Sequence, residues 1–95
     1  MQVLQAHRQQ IDRLDDEIVR LLAERYGIVS QVAAIKAEHG IPSVLQDRVT
    51  EVIERNAETA AGLGFDPDLV RRLYAVIIEE ACALEDRLCS RVPAH

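Results

Sequence analysis

Residues 2–38 contain no proline, and their single glycine, Gly27, lies deep inside the stretch. Apolar residues recur along it at helical spacing: Leu4, Ile11, Leu14, Ile18, Leu21, Leu22, Ile28, Val29, Val32 and Ile35. The pattern predicts one helix from about Val3 to Glu38, roughly 50 Å long at the helical rise. A globule built from 95 residues is narrower than that, so much of the apolar stripe needs cover from outside the protomer. A second chain is the simplest cover.

Three cations, Arg8, Arg25 and Lys36, lie on or beside the stripe. Arg25 and Lys36 are eleven residues apart. That is about three helical turns, so both project from nearly one face, about 16 Å apart. Long cationic side chains at that distance can close on a small anion from its two ends. Arg8 lies about 25 Å from Arg25 along the same helix. It cannot reach that anion in its own chain, but an antiparallel partner helix would bring a second Arg8 into range.

His39-Gly40-Ile41-Pro42-Ser43 ends the long helix. Gly40 suits a left-handed cap, and the residue before Pro42 is biased away from helix. A second helix is expected from about Leu45 to Ala61, with Val49, Val52, Ile53 and Ala57 inward. Arg48 falls in its first turn, a poor place for a cation without an anionic partner. Gly62-Leu63-Gly64 breaks that helix. Asp66-Pro67 opens a third, running to about Ser90. Val70, Leu73, Ile77, Ala81, Leu84 and Leu88 form its apolar line, and Tyr74, Ile78, Cys82 and Glu85 an adjacent one. Residues 91–95 read as a frayed tail. The whole chain, 1–95, is thus a single all-α domain of three helices.

The formal net charge of −5 argues against a nucleic-acid partner. No segment has the length of a membrane span or the layout of a signal peptide, so a cytoplasmic location is expected. No His or Cys cluster has metal spacing, and neither metal nor cofactor is expected. Cys82 and Cys89 would be about 10.5 Å apart along a helix, too far for a disulfide with each other.

Arg8-x-x-Ile11-Asp12-x-Leu14-Asp15, Leu21-Leu22-Ala23-Glu24-Arg25, Lys36, Arg48 and Ile77-Ile78-Glu79 together resemble the all-α class of chorismate mutases. The resemblance covers nearly the whole chain. It implies an intertwined homodimer of three-helix protomers, with two active sites shared between the chains. It implies that Arg8 of the partner and Arg25 hold the carboxylates of a small dicarboxylate substrate. On the same footing Lys36 contacts the ether oxygen of the breaking bond, Arg48 lies near the substrate, and Glu85 approaches the ether oxygen from the other side. A Claisen rearrangement needs no nucleophile, metal or obligatory proton transfer, only cations that hold the reactive conformer and offset charge on the ether oxygen. Glu85 could donate a hydrogen bond to that oxygen only when protonated.

Three positions depart from the commonest pattern of that family. Leu45 stands where an aspartate is common, Val49 where a glutamate is usual, and Ala81 where a small hydroxyl residue is common. Those polar groups meet the ring hydroxyl at C4, so their absence points to a different substituent. An Arg-Val pair here is similar to that of the isochorismate-pyruvate lyases and to that of the 4-amino-4-deoxychorismate mutases of antibiotic pathways. His39-Gly40-Ile41-Pro42 and Glu80-x-Cys82-x-x-Glu85-Asp86 carry the resemblance to these mutases further. Glu85 or Asp47 could then face the substrate ammonium instead. The alternatives are ordinary chorismate as substrate, an isochorismate-pyruvate lyase, and a non-catalytic helical dimerisation module using the same seam.

Overall fold

The computed structural model describes residues 2–90, with only the helical backbone of Cys89 and Ser90. The expected frayed tail lies outside the described residues. Three helices follow in order: α1 Gln2–His39, α2 Gln46–Gly62 and α3 Pro67–Ser90. The described residues contain no strand. The protein is all-α, as the periodicity predicts, and among the described residues no helix is long and apolar enough to cross a membrane.

Local chemistry sets the helix ends. Gly40 takes φ 67°, and the Ile41 N–H donates to the Lys36 carbonyl at 2.8 Å. Gly64 takes φ 72°, and the Phe65 N–H reaches the Ala60 carbonyl at 2.9 Å. Both are six-to-one closures that depend on a left-handed residue, which glycine adopts without Cβ strain. Asp66 caps α3, its Oδ1 accepting from the Asp68 N–H at 2.9 Å. The expected start of α2 moves by one residue. Leu45 is not its first turn but its N-cap, in extended conformation (φ −115°, ψ 99°) with no side-chain cap bond.

α3 is the shared element: α1 and α2 both pack on it, while among the described residues α1 and α2 do not pack together. The contacts are made largely by small side chains. Ala33, Ala57, Ala60 and Ala81 are buried, joined by Val70 and Ile78, and among the described residues no large side chain is fully enclosed. Tyr26 fixes α1 on α3, its hydroxyl donating to the Ile77 carbonyl at 2.8 Å. Arg71 clasps α2 to α3, its Nε and Nη2 donating to the two Glu54 oxygens at 3.0 Å each. This hydrogen bond holds Glu54 below its ordinary carboxylate range.

The protomer is a rod, 62 × 25 × 14 Å, with a radius of gyration of 17.1 Å. A compact chain of this length has about 12 Å. The difference is α1, whose residues 2–20 are all exposed. Ile11, Leu14 and Ile18 are 53–58% exposed, at helical spacing along one face. The sequence expectation that the protomer leaves this stripe uncovered therefore holds. Leu73, on the expected apolar line of α3, is also exposed, at 51%, whereas Val70 and Ala81 of that line are buried, together with Ile78 and Glu85 of the adjacent one.

Candidate active site

α1 and α2 each pack on α3 but not on one another, and a space lined by all three helices remains between them. It is a cavity of about 310 Å³, within the range of small-molecule sites. Its apolar wall includes Ile28, Val29 and Val32 of α1. Its polar groups come from Arg25, Lys36, Ser43, Arg48, Cys82 and Glu85. Of the residues singled out from sequence, Arg25, Lys36, Leu45, Arg48, Val49, Ala81 and Glu85 all line this one cavity. Arg8 does not: it sits on the exposed first half of α1. Asp47 also lies outside the lining.

Arg25 is half-buried on α1, its Cζ 5.9 Å from the Tyr74 ring centroid. Its Nη1 is buried and has no hydrogen-bond partner in the protomer. A guanidinium nitrogen withdrawn from water without an acceptor is costly. An anion in the cavity is the chemistry that satisfies it, and a carboxylate matches the planar guanidinium fork.

Lys36 lies in the last turn of α1, where a cation suits the helix dipole. Its Nζ donates to the Ser43 carbonyl at 3.0 Å and to Glu85 Oε2 at 3.1 Å, with Oε1 at 3.4 Å. Both side chains are withdrawn from water, at 16% and 8% exposure. An ammonium has three N–H bonds; with one N–H shared between the two Glu85 oxygens and one on Ser43, the third is available to the cavity that Lys36 lines. Glu85 was expected as a hydrogen-bond donor beside the ether oxygen. In the structure its carboxyl accepts from Lys36, as the buried counter-ion of that ammonium.

Arg48 sits at the exposed rim, its Nη1 donating to Glu51 Oε1 at 2.7 Å. This is the anionic partner that a first-turn arginine calls for. Leu45, Val49 and Ala81 give the α2–α3 side of the cavity an apolar surface. Leu45 is a poor N-cap, and an apolar side chain there breaks the local rule. Such departures concentrate where a side chain serves a site rather than its own helix.

Three residues of the site escaped the sequence reading as functional. Ser43 was taken as part of a helix-ending loop, although its carbonyl holds Lys36. Tyr74 was read as core, although its ring faces Arg25. Cys82 lines the cavity as a free thiol, and burial pushes it above the ordinary thiol range. One signal was available: Lys36 is the chain's only lysine, every other basic side chain apart from histidine being arginine.

The family model for chorismate mutase type II matches residues 7–86. A 4-amino-4-deoxychorismate mutase of Streptomyces venezuelae is 36% identical over 88 residues, covering 93% of this chain and 85% of that protein. One of Streptomyces pristinaespiralis is 34% identical over 83 residues, covering 87% of this chain and 64% of that protein. The T-protein of Haemophilus influenzae is 31% identical over 87 residues, covering 92% of this chain but only 23% of its own length. A match spanning both the cationic positions and the three helices that bring them together leaves one conclusion: the chain belongs to the chorismate mutase type II family.

Proposed function

We propose that this protein, an isomerase of the chorismate mutase type, rearranges 4-amino-4-deoxychorismate to 4-amino-4-deoxyprephenate as a homodimer with shared sites. The observation that carries the reading is the single cavity that gathers Arg25, Lys36 and Glu85 against an apolar wall. In the rearrangement the ether C–O bond breaks as a C–C bond forms, with no net gain or loss of protons or electrons. Arg25, with the orphaned Nη1, holds one substrate carboxylate. Arg8 of the partner subunit holds the other, and Arg48 lies near the substrate at the rim. Fixing both carboxylates converts a rare folded conformer into the bound one. Lys36 directs its remaining N–H at the ether oxygen, where negative charge builds in the transition state.

The assignment of the C4 substituent rests on two supports. Leu45, Val49 and Ala81 withhold the polar partners that would meet a hydroxyl, and two relatives carry the 4-amino-4-deoxychorismate mutase name. The second reading is ordinary chorismate, favoured by the family description itself. The dimer is supported by the uncovered stripe of α1, whose first half is exposed throughout among the described residues.

The test offers purified protein 4-amino-4-deoxychorismate, chorismate and isochorismate in parallel, with products identified by NMR. The expected result is 4-amino-4-deoxyprephenate at the highest kcat/KM. Preferential formation of prephenate would replace the amino substrate by chorismate. Salicylate with pyruvate would make the protein a lyase. No turnover, with no rise in melting temperature on adding a transition-state mimic, would leave a dimerisation module.

A further inference from the structure

The contacts around Lys36 extend beyond the cavity. Its second anchor, Ser43, is no part of a helix: it sits in the 40–45 connection between α1 and α2. A loop carbonyl is a useful anchor only if the loop is itself held. Here it is, because the Ser43 hydroxyl donates to Asp86 Oδ1 on α3. Asp86 directly follows Glu85, the first anchor of Lys36. The two halves of the Lys36 cradle are therefore tied to adjacent residues of one helix, although one half arrives from a loop.

We propose that Ser43 and Asp86 form a latch that sets the position of the Lys36 ammonium. Ser43 is a positioning residue: its hydroxyl pins the loop to α3, and its carbonyl then takes one N–H of Lys36. Glu85 takes the second, which leaves the third in a defined direction toward the cavity. Without the latch the carbonyl is free to move with its loop. Lys36 then keeps Glu85 but loses the second constraint on its direction. An ammonium on a four-carbon stem needs that constraint, because its charge alone does not orient it. Asp86 is exposed and does not line the cavity; its link to the Lys36 cradle runs through the Ser43 hydroxyl. The catalytic consequence rests on the proposed role of Lys36; the geometric one does not.

Because Lys36 is the only lysine, its side-chain ammonium gives a single signal in lysine-selective 15N NMR. The full chain is prepared as Ser43→Ala, Asp86→Ala, the double variant and Ser43→Thr. The expected result in ligand-free protein is that either alanine variant speeds exchange of the Lys36 ammonium protons with water about tenfold, as a lost hydrogen bond of moderate strength allows. The double variant should be no worse than either single one, and Ser43→Thr, which keeps the hydroxyl, should match the parent. Unchanged exchange in both alanine variants, or additive effects in the double, overturns the latch. This arm needs no substrate, so it stands apart from any failure of the proposed reaction. Where turnover is measurable, kcat should fall about ten- to a hundredfold with KM nearly constant, as for a displaced catalytic group. A fall confined to KM overturns the positioning role.

Discussion

Replacing Lys36 by methionine keeps the length of the side chain and removes its charge. Glu85 is then left with its carboxylate at 8% exposure and its cation gone. At the 3.1 Å separation of the pair, the Coulomb attraction is about 5 kcal/mol at an effective dielectric of ~20. Removing one partner of a buried pair costs about 3–5 kcal/mol, because the remaining charge keeps its desolvation. The cavity admits water, so Lys36→Met should fall near the lower end, about 3 kcal/mol. Glu85→Leu should cost less, about 2 kcal/mol, because a lysine can bend its head toward cavity water. The double variant should lie within about 1 kcal/mol of the parent, since an apolar pair of similar volume often replaces an ion pair at little cost. Urea unfolding followed by far-UV circular dichroism measures all four proteins, at one protein concentration because assembly contributes to apparent stability. The double variant should nonetheless lose about 10²–10³ in kcat, which separates what the pair does for folding from what Lys36 does for chemistry. If the two single losses simply add in the double variant, the pair is not coupled and the reasoning from burial fails.

Shared sites predict complementation: Arg8→Ala and Arg25→Ala are each inactive, but refolded together they should regain about a quarter of parental activity, from the one intact site of each mixed dimer. Activity should not return on mixing if Arg8 serves its own chain, and sedimentation should show Arg25→Ala still dimeric. Leu45→Asp with Val49→Glu should move the kcat/KM ratio toward chorismate by about tenfold or more, as polar readout of a hydroxyl permits. The Leu45→Asp change alone should raise stability by about 1 kcal/mol, because it supplies the missing N-cap of α2. At the α2–α3 surface the clasp with Arg71 holds Glu54 below its ordinary value of 4.5. Its stabilisation is therefore present above that value and lost as pH falls through the depressed one. The melting temperatures of parent and Arg71→Ala should differ at neutral pH and converge in acid.

The long helix was legible because its signal is redundant: ten apolar positions, no proline, and a glycine cap at one end. α3 was equally legible, since Asp66 and Pro67 are two independent start signals for one helix. The convergence of Arg25 and Lys36 followed from helical rise alone. Leu73 is exposed in the protomer: periodicity reports which residues are apolar, not which of them a neighbouring helix covers. The cradle of Lys36 was not legible for a different reason. It depends on the backbone carbonyl of Ser43, and a carbonyl leaves no trace in residue type. Glu85 is expected on the buried edge of α3, across the ether oxygen from Lys36. Spacing put it on that edge, yet only the packing of α3 against the end of α1 shows that Lys36 meets it first.

The choice of cation at each position is itself informative under the proposed reaction. Arginine is used everywhere along the chain except at residue 36. A guanidinium presents a planar fork that suits a carboxylate, as required of Arg25 and of the partner subunit's Arg8. An ether oxygen is one atom with no plane to match. A compact ammonium can give it a single N–H while its other two remain on protein acceptors. Lys36→Arg would carry the same charge, but its broad head would have to fit between the Ser43 carbonyl and Glu85, which stand 3.0 and 3.1 Å from the present nitrogen. It should therefore lose most of its turnover while keeping the ion pair and much of the stability, unlike the charge-free Lys36→Met single variant, which loses both. Retention of full activity by Lys36→Arg would mean that charge alone matters at this position, and that the third N–H has no special direction.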